Sequence, residues 1–300
     1  MTAGALTCRV VSPLDPDEQR AGSRDAWEGA AAGWGRRAER IREWGMPVSV
    51  AMVDALNLQP GQRVLELAAG PGDTGFMAAE RVRGADDADV AGTLLSTDGA
   101  EAMLEVARRR AAQAGIDNVE FRQLELEWID LPTASVDAVL CRWGIMLIVD
   151  PAAAAQEIRR VLRAGGRAAL AVWDDPQRNP WATIPGAAMV ELGYAPPPDP
   201  DAPGMFSLAA EGALGDLLQD AGFTGVQVRA VPLMRTCDAV EEYIAETAEM
   251  STSFRATFGR LTVAQQGEVA AKITAAAAPF TAPDGSLRLP GSSLVAGADG

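Results

Sequence analysis

The strongest constraint on the fold of this chain lies in residues 63–75, which read RVLELAAGPGDTG. An apolar run of strand length contains a single acid, Glu66, and leads directly into three closely spaced glycines, Gly70, Gly72 and Gly75. Glycine allows a tight backbone turn and lets a ligand lie against the backbone where a side chain would intrude. The stretch therefore predicts a strand over 63–67, a ligand-binding turn and the start of a helix.

The rest of the chain continues an alternation of strands and helices. Further strands are predicted over 93–97, 119–124, 136–142, 167–173, 226–231 and 286–295, and helices over 74–82, 100–114, 152–162, 181–192, 208–221 and 238–278. Strands separated by helices need crossover connections, which produce a mainly parallel sheet. We therefore expect an α/β fold, a Rossmann-like, mainly parallel seven-stranded sheet with helices on both faces and a helical cap.

The composition limits the classes of function. The 300 residues include 41 acids and 26 bases, and the formal charge of −15 disfavours sustained contact with nucleic acid or anionic membranes. The chain has no histidine, which excludes serine–histidine and cysteine–histidine nucleophile systems. Its three cysteines form no CxxC pair, so they indicate neither a disulfide framework nor a metal site and suit a reducing cytoplasm. No signal peptide or membrane span is indicated.

The glycine turn leaves the type of cofactor open. Gly70, Gly72 and Gly75 spell GxGxxG, which taken alone favours NAD or a bland strand-to-helix turn. Asp73 lies within the turn, where a carboxylate opposes a pyrophosphate at the helix N-terminus, although it could instead be the helix N-cap. S-adenosylmethionine carries no phosphate, and its sulfonium and ammonium groups favour acidic surroundings.

Two further acids are expected near this turn. Glu66 is predicted to point into the same crevice and to meet a cation or hydrogen-bond donors, with a salt bridge to Arg63 or another base as the alternative. Asp98 ends the strand LLSTD, at the edge where open α/β sheets bind ligands. Its carboxylate could take both hydroxyls of a ribose, or it could cap the helix over 100–114.

These features together resemble the class I S-adenosylmethionine-dependent methyltransferases, and in particular the branch similar to quinone-biosynthesis methyltransferases. The family signature ExGxGxG aligns with Glu66, Ala68, Gly70 and Gly72, so Ala68 replaces the usual first glycine. The resemblance covers about residues 59–173. It implies that S-adenosylmethionine is the cofactor.

The resemblance also assigns residues to the cofactor. It places Asp98, Gly99 and Met103 near the ribose and adenine, Glu125 and Leu126 at the adenine edge, and Cys141 beside the transferable methyl group. Glu125 stands where the family expects an aspartate. Three regions follow along the chain: 1–58 for the N-terminal tail and cap helices, 59–175 for the cofactor-binding core, and 176–300 for a substrate lid and the completion of the sheet.

The methyl acceptor is expected to be a small, flat, mostly apolar or aromatic molecule, methylated on oxygen, nitrogen or activated carbon. Its candidate contacts are Trp27 and Trp34 in the N-terminal helices, and Arg142, Trp143 and Met146 after the fourth strand. Core packing is the alternative for all of these tryptophans and for Met146. No catalytic base can be identified, and two other functions stay open: an NAD(P)-dependent oxidoreductase, or a methyltransferase-like binding module without activity.

Overall fold

The computed structural model describes residues 15–84, 91–199 and 202–300. The first 14 residues of the expected N-terminal tail lie outside this range. Within it, helix α1 (Pro16–Arg36) begins with Asp15 as its N-cap, and Oδ1 of Asp15 accepts the backbone N–H of Asp17 at 2.8 Å. The polar start of the chain is therefore already helical from Pro16 onward.

A seven-stranded sheet with the strand order β3-β2-β1-β4-β5-β7-β6 forms the centre of the fold. The strands are β1 (Arg63–Leu67), β2 (Thr93–Asp98), β3 (Val119–Gln123), β4 (Val136–Arg142), β5 (Leu162–Trp173), β6 (Thr224–Cys237) and β7 (Leu287–Asp299). The first five strands pair in parallel, whereas β7 runs antiparallel to both of its neighbours. The expected α/β fold with a mainly parallel seven-stranded sheet is confirmed.

Ten α-helices are assigned within the described ranges. They are α1, α2 (Ala38–Leu56), α3 (Asp73–Arg83), α4 (Glu101–Ala114), α5 (Pro151–Val161), α6 (Pro180–Glu191), α7 (Ala213–Asp220), α8 (Val240–Met250), α9 (Thr252–Phe258) and α10 (Val263–Ala277). Gly115 ends α4 in the left-handed conformation, as its position in the sequence predicts. None of these helices combines the length and apolar composition required to span a membrane.

The region after β5 differs most from its prediction. The helix expected over 208–221 is limited to α7, because Gly212 with a φ of 84° starts the helix only at Ala213. The alanine-rich stretch 238–278 forms three helices instead of one, since the side chains of Ser251 and Thr262 each cap a new helix.

The described residues form three apolar clusters, of which the two large ones hold most of the molecule together. The larger one surrounds the central strands and includes Val64, Leu65 and Val139, all fully buried. The smaller one joins side chains of α6, α8 and α10 to the ends of β6 and β7 around the fully buried Tyr243. The long β6–β7 pair thus links these helices to the sheet.

The strand register brings the carboxyl ends of three strands to one edge. Glu66 of β1 pairs with Ser96 of β2 and with Leu140 of β4, and Leu67 pairs with Cys141. The glycine turn after β1 therefore lies beside the ends of both β2 and β4. This is the edge at which open α/β sheets bind their ligands.

Candidate functional site

A cavity of about 490 Å³ lies at this edge, between the ends of the central strands and helix α1. Most of the predicted site residues line it: Glu66, Ala68, Gly70, Asp98, Gly99, Met103, Glu125, Leu126, Trp27, Trp34, Arg142 and Trp143. Gly72, Cys141 and Met146 lie behind the wall. The structure therefore brings together residues that are far apart in the sequence.

The turn after β1 has an unusual backbone. Ala68, Gly70 and Gly72 have φ values of 50°, 53° and 90°, in the left-handed region that favours glycine. A Cβ on Gly70 would meet no atom within 4 Å, so a larger side chain there would enter open space, whereas a Cβ on Gly72 would overlap the ring of Phe76. Gly70 thus keeps space free for a ligand, and Gly72 allows close packing of α3.

The carboxylate of Glu66 is buried beneath this turn. Oε1 accepts the backbone N–H of Gly75 at 2.7 Å, and Oε2 accepts the hydroxyl of Ser96 at 2.8 Å. Among the described residues Glu66 forms no salt bridge, so the alternative of an ion pair with Arg63 or another base is wrong. Burial raises the pKa of the Glu66 carboxyl to about 8.

Gly75 explains the apparent dinucleotide motif. A Cβ at this position would overlap the carboxylate of Glu66. The third glycine of GxGxxG is therefore required by a neighbouring acid inside the protein. It gives no support to a pyrophosphate ligand.

Asp98 joins the glycine turn to the start of α4. Its Oδ2 accepts the backbone N–H of Gly70 at 2.9 Å, and its Oδ1 accepts that of Ala100 at 2.9 Å. Desolvation raises the pKa of the Asp98 carboxyl to about 6. Asp98 is not the N-cap of α4, because that position belongs to Ala100 and the first N–H groups of the helix donate to Glu28.

Asp73 has a different role from either one considered from the sequence. It is the first residue of α3, after the N-cap Gly72, and its carboxylate is buried against two guanidinium groups. Oδ1 lies 2.7 Å from Nη1 of Arg110, and Oδ2 lies 3.4 Å from Nη2 of Arg142. Its charge is balanced within the protein and does not face the cavity.

Arg142 and Trp143 form the cavity wall at the end of β4. Nη1 of Arg142 donates to Oγ of Ser49 at 2.9 Å, and its guanidinium lies 4.7 Å from the ring centroid of Trp143. Trp143 has a φ of 60°, and its indole stacks on Trp173 with the centroids 4.3 Å apart. Trp143 therefore packs in the core and also lines the cavity.

Two predicted residues near this wall, Met146 and Cys141, lie deeper than the cavity lining, whereas Gly144 belongs to it. Met146 is buried, and its sulfur accepts the backbone N–H of Trp173 at 3.5 Å, which agrees with the packing alternative. The Cys141 thiol is fully buried, and burial raises its pKa to about 12. Gly144 was not predicted as a site residue, and a Cβ there would overlap that of Ala68. Its signal in the sequence is a glycine two residues after the predicted strand 136–142.

Helix α1 forms the roof of the cavity. Trp27 and Trp34 contact each other edge to face at 5.6 Å and pack with Met103 and Ala100 at the start of α4. The indole N–H of Trp34 donates to the backbone carbonyl of Met250 at 3.0 Å. These two tryptophans therefore lie beside residues predicted to bind the cofactor rather than beside Trp143.

Comparisons with known proteins agree with this architecture. Residues 58–189 match the family model of a methyltransferase domain. A demethylmenaquinone methyltransferase from Clavibacter sepedonicus is 35% identical over 127 residues, which make up 42% of this chain and 47% of that protein. The chain thus spans about half the length of the curated relatives that it matches.

Solved structures share the fold at low sequence identity. The YcgJ protein of Bacillus subtilis superposes with a TM-score of 0.55 at 17% identity, covering 84% of this chain and 97% of that one. A [4+2]-cyclase superposes with a TM-score of 0.52 at 16% identity, covering 84% and 80%. The resemblance of this chain to the class I S-adenosylmethionine-dependent methyltransferases, near the quinone-biosynthesis branch, is confirmed by the match of residues 58–189 and by the demethylmenaquinone methyltransferase relative.

Proposed function

We propose that this chain is an S-adenosylmethionine-dependent methyltransferase that methylates oxygen, nitrogen or activated carbon of a small, mostly apolar or aromatic molecule. One observation carries the proposal: the cavity joins Asp98, at the end of β2, to the left-handed turn from Ala68 to Gly72. The methyltransferase-domain match supports the same assignment.

The charges around the cavity suit a cationic cofactor without phosphate. The acids of the wall include Asp98 and Glu125, together with the buried Glu66, whose raised pKa of about 8 leaves it mostly uncharged near neutral pH. Arg142 in the same wall is paired with Asp73, and Arg24 is paired with Glu125. Because these described arginines of the wall already have carboxylate partners, they form no cluster of free cations that could bind a pyrophosphate. The acids of the wall instead favour the sulfonium and ammonium groups of S-adenosylmethionine.

The residues present fit S-adenosylmethionine. Asp98 would accept the ribose hydroxyls, Met103 and Leu126 would contact the adenine, and the backbone at Gly70 would lie against the rest of the cofactor. The cofactor would supply a methyl group on a positively charged sulfur, which a nucleophile can displace. The protein then has to position the acceptor, exclude water and, where the nucleophile needs it, remove a proton.

The wall at Trp143 is the proposed site of the acceptor. Trp143 is only 7% exposed and stacks with Trp44 and Trp173, and the small exposed part of its indole lines the cavity at the end of β4, next to the guanidinium of Arg142. The chain has no histidine, and the buried Glu66 carboxylate is held by two hydrogen bonds. An acceptor with an acidic hydroxyl or an activated carbon fits this site, because it needs little help to lose its proton.

The oxidoreductase alternative loses support, and the binding module without activity is the alternative that the experiment below has to exclude. A nicotinamide oxidoreductase rested on the GxGxxG spelling, and Gly75 is required by Glu66 instead. The antiparallel β7 also differs from the six-stranded parallel sheet of dinucleotide-binding domains. The alternative of a methyltransferase-like protein without methyl transfer has to be tested directly. The same fold occurs in a cyclase, and a fold alone does not determine a reaction.

Calorimetry with S-adenosylhomocysteine and with NADH tests the proposal. We expect heat of binding for S-adenosylhomocysteine and none for NADH. The Gly70→Val variant, whose side chain would enter the cavity, should lose this binding. Its far-UV circular dichroism spectrum should be unchanged. Transfer of a deuterated methyl group from labelled S-adenosylmethionine into a cell extract should then identify the acceptor. Binding of NADH without S-adenosylhomocysteine would overturn the proposal, and binding without transfer to any acceptor would favour a non-catalytic module.

A further inference from the structure

Helix α1 carries three charged residues that contact the segments predicted to bind the cofactor. Arg20, Arg24 and Glu28 follow one another at intervals of four residues and so share one face of the helix. We refer to these three residues as the ionic stripe. Its contacts reach the segment after β3 and the start of α4, which flank the cavity on either side of Asp98.

The first contact of the ionic stripe is the most buried one. Nε of Arg20 lies 2.8 Å from Oε2 of Glu127, and Nη2 lies 3.1 Å from Oε1. The Glu127 side chain is only 4% exposed and also accepts the backbone N–H of Asp150 at 2.8 Å. This bidentate pair therefore fixes the first turns of α1 to a well-ordered acid in the cavity wall.

The third contact holds α1 to α4. The two carboxylate oxygens of Glu28 accept the backbone N–H groups of Glu101 and Ala102 at 2.6 and 3.0 Å. These N–H groups belong to the first turn of α4 and would otherwise lack a partner within the helix. Glu28 thus places α1 directly over the segment that follows Asp98.

The central contact is the one that reaches the predicted cofactor site. Nη1 of Arg24 lies 3.1 Å from Oε1 of Glu125. The other oxygen, Oε2, lies against Gly99, where a Cβ would be only 3.2 Å away from it. One oxygen of Glu125 therefore faces the roof helix, and the other faces the turn after Asp98.

We propose that Arg24 is a positioning residue for the cofactor, acting through Glu125. This inference rests on the proposed function. Arg24 holds Oε1 of Glu125, so that Oε2 of the same carboxylate is oriented toward the cavity at Gly99. A cofactor that contacts Glu125 is therefore coupled to the position of α1. Glu125 has one methylene group more than the aspartate expected at this place. The longer side chain can reach both Arg24 and the turn at Gly99.

The test compares Arg24→Met with Arg122→Met in the full chain. Arg122 is a matched control, because it forms a similar pair with Glu120 and its side chain is 40% exposed, against 42% for Arg24. The dissociation rate of S-adenosylhomocysteine would be followed by stopped-flow tryptophan fluorescence. We expect Arg24→Met to dissociate about three- to fivefold faster with little change in association, the scale of an exposed ion pair, and Arg122→Met to match the wild type.

Three further readouts separate positioning from a general loss of stability. Arg24→Lys should restore most of the slow dissociation, and high salt should speed dissociation in the wild type but not in Arg24→Met. Glu125→Asp should have an effect similar to Arg24→Met, and the double variant should be no worse than either single one. Equal dissociation rates for Arg24→Met and Arg122→Met would overturn the inference. A wild type that does not bind S-adenosylhomocysteine would overturn the proposed function instead.

Discussion

The backbone N–H of Gly75 donates to Oε1 of Glu66 at 2.7 Å, and the carboxylate of Glu66 occupies the space where a Cβ of residue 75 would lie. This contact joins the first turn of α3 to the middle of the sheet. A further bond from the hydroxyl of Ser96 fixes the other oxygen of the carboxylate. The turn that lies against the cavity is thus shaped from below by a buried acid.

Gly75→Ala should destabilise the fold by about 3 kcal/mol, because the new methyl group displaces the Glu66 carboxylate and weakens a buried hydrogen bond. Gly267→Ala is the control, since Gly267 is an exposed residue in α10 with no atom near its Cβ position. The same substitution there should stabilise by up to about 1 kcal/mol through helix propensity. Urea denaturation would measure both. Equal effects at the two positions would contradict the predicted overlap.

Removing the acid should relieve the overlap. In the background of Glu66→Ala, Gly75→Ala should cost clearly less than it does in the wild type, because the carboxylate is no longer in the way. The coupling free energy from the four proteins of this cycle, obtained by urea denaturation, gives the size of the interaction. Strictly additive effects would mean that Gly75 is needed for some other reason.

Stability should depend on pH through Glu66. In the unfolded chain this carboxyl loses its proton near its ordinary pKa of 4.5, whereas burial raises the pKa in the folded chain to about 8. The folded chain therefore holds a proton that the unfolded chain has lost, and the stabilising contribution, complete below pH 4.5, is lost as the pH rises toward 8. Between pH 6 and 8 we expect the free energy of unfolding to fall by at most about 1.4 kcal/mol per pH unit.

Glu66→Gln isolates this effect. The glutamine can still accept from Gly75, and the Ser96 hydroxyl can accept from its amide group, so both contacts are retained without a titrating proton. Denaturation curves from pH 6 to 8 should then be flatter than those of the wild type. Glu120→Gln, at a side chain that is 61% exposed, should keep the wild-type slope. A slope that survives in Glu66→Gln would assign the pH dependence to another group.

The replacement of the family's first glycine by Ala68 predicts a stabilising reversion. Ala68 has a φ of 50°, a conformation that costs a residue with a side chain roughly 1–2 kcal/mol. Ala68→Gly should therefore raise the free energy of unfolding by up to about 1 kcal/mol after the entropic cost of glycine in the unfolded chain. The neighbouring Ala69 has no positive φ, so Ala69→Gly should lower the free energy of unfolding. Thermal or urea denaturation of both variants decides the sign.

The elements of the sheet could be predicted from the sequence because apolar runs and turn residues are local signals. β1 begins and ends as predicted, and the cavity-lining role of Asp98 follows from its place at the end of β2. The ionic stripe could not be predicted, since Arg20 and Arg24 meet partners that lie 107 and 101 residues away. The need for glycine at position 75 likewise depends on how closely α3 approaches Glu66.

The same limit applies to the tryptophans. The sequence predicted that Trp27 and Trp34 belong to the N-terminal helices, but not that these residues share α1 and pack on α4 beside Met103. The pairing of Asp73 with Arg110 and Arg142 also depends on three separate elements. Sequence reasoning therefore identified the residues of the cavity better than it identified their partners.

Asp98 offers the most direct prediction about the cofactor. Asp98→Asn should weaken the binding of S-adenosylhomocysteine by about 1.5–3 kcal/mol, because a hydrogen bond to a charged acceptor is lost.

The pKa of the Asp98 carboxyl in the free protein is raised to about 6, and the ionised form is the one that accepts the ribose hydroxyls. The wild-type affinity should therefore fall as the pH is lowered through 6, and the affinity of Asp98→Asn should not follow this change. Calorimetry between pH 5 and 8 measures both, with Asp117→Asn as the control, since its side chain is 81% exposed and pairs with Arg83. An affinity that is the same in Asp98→Asn and in the wild type would exclude Asp98 from the ribose site.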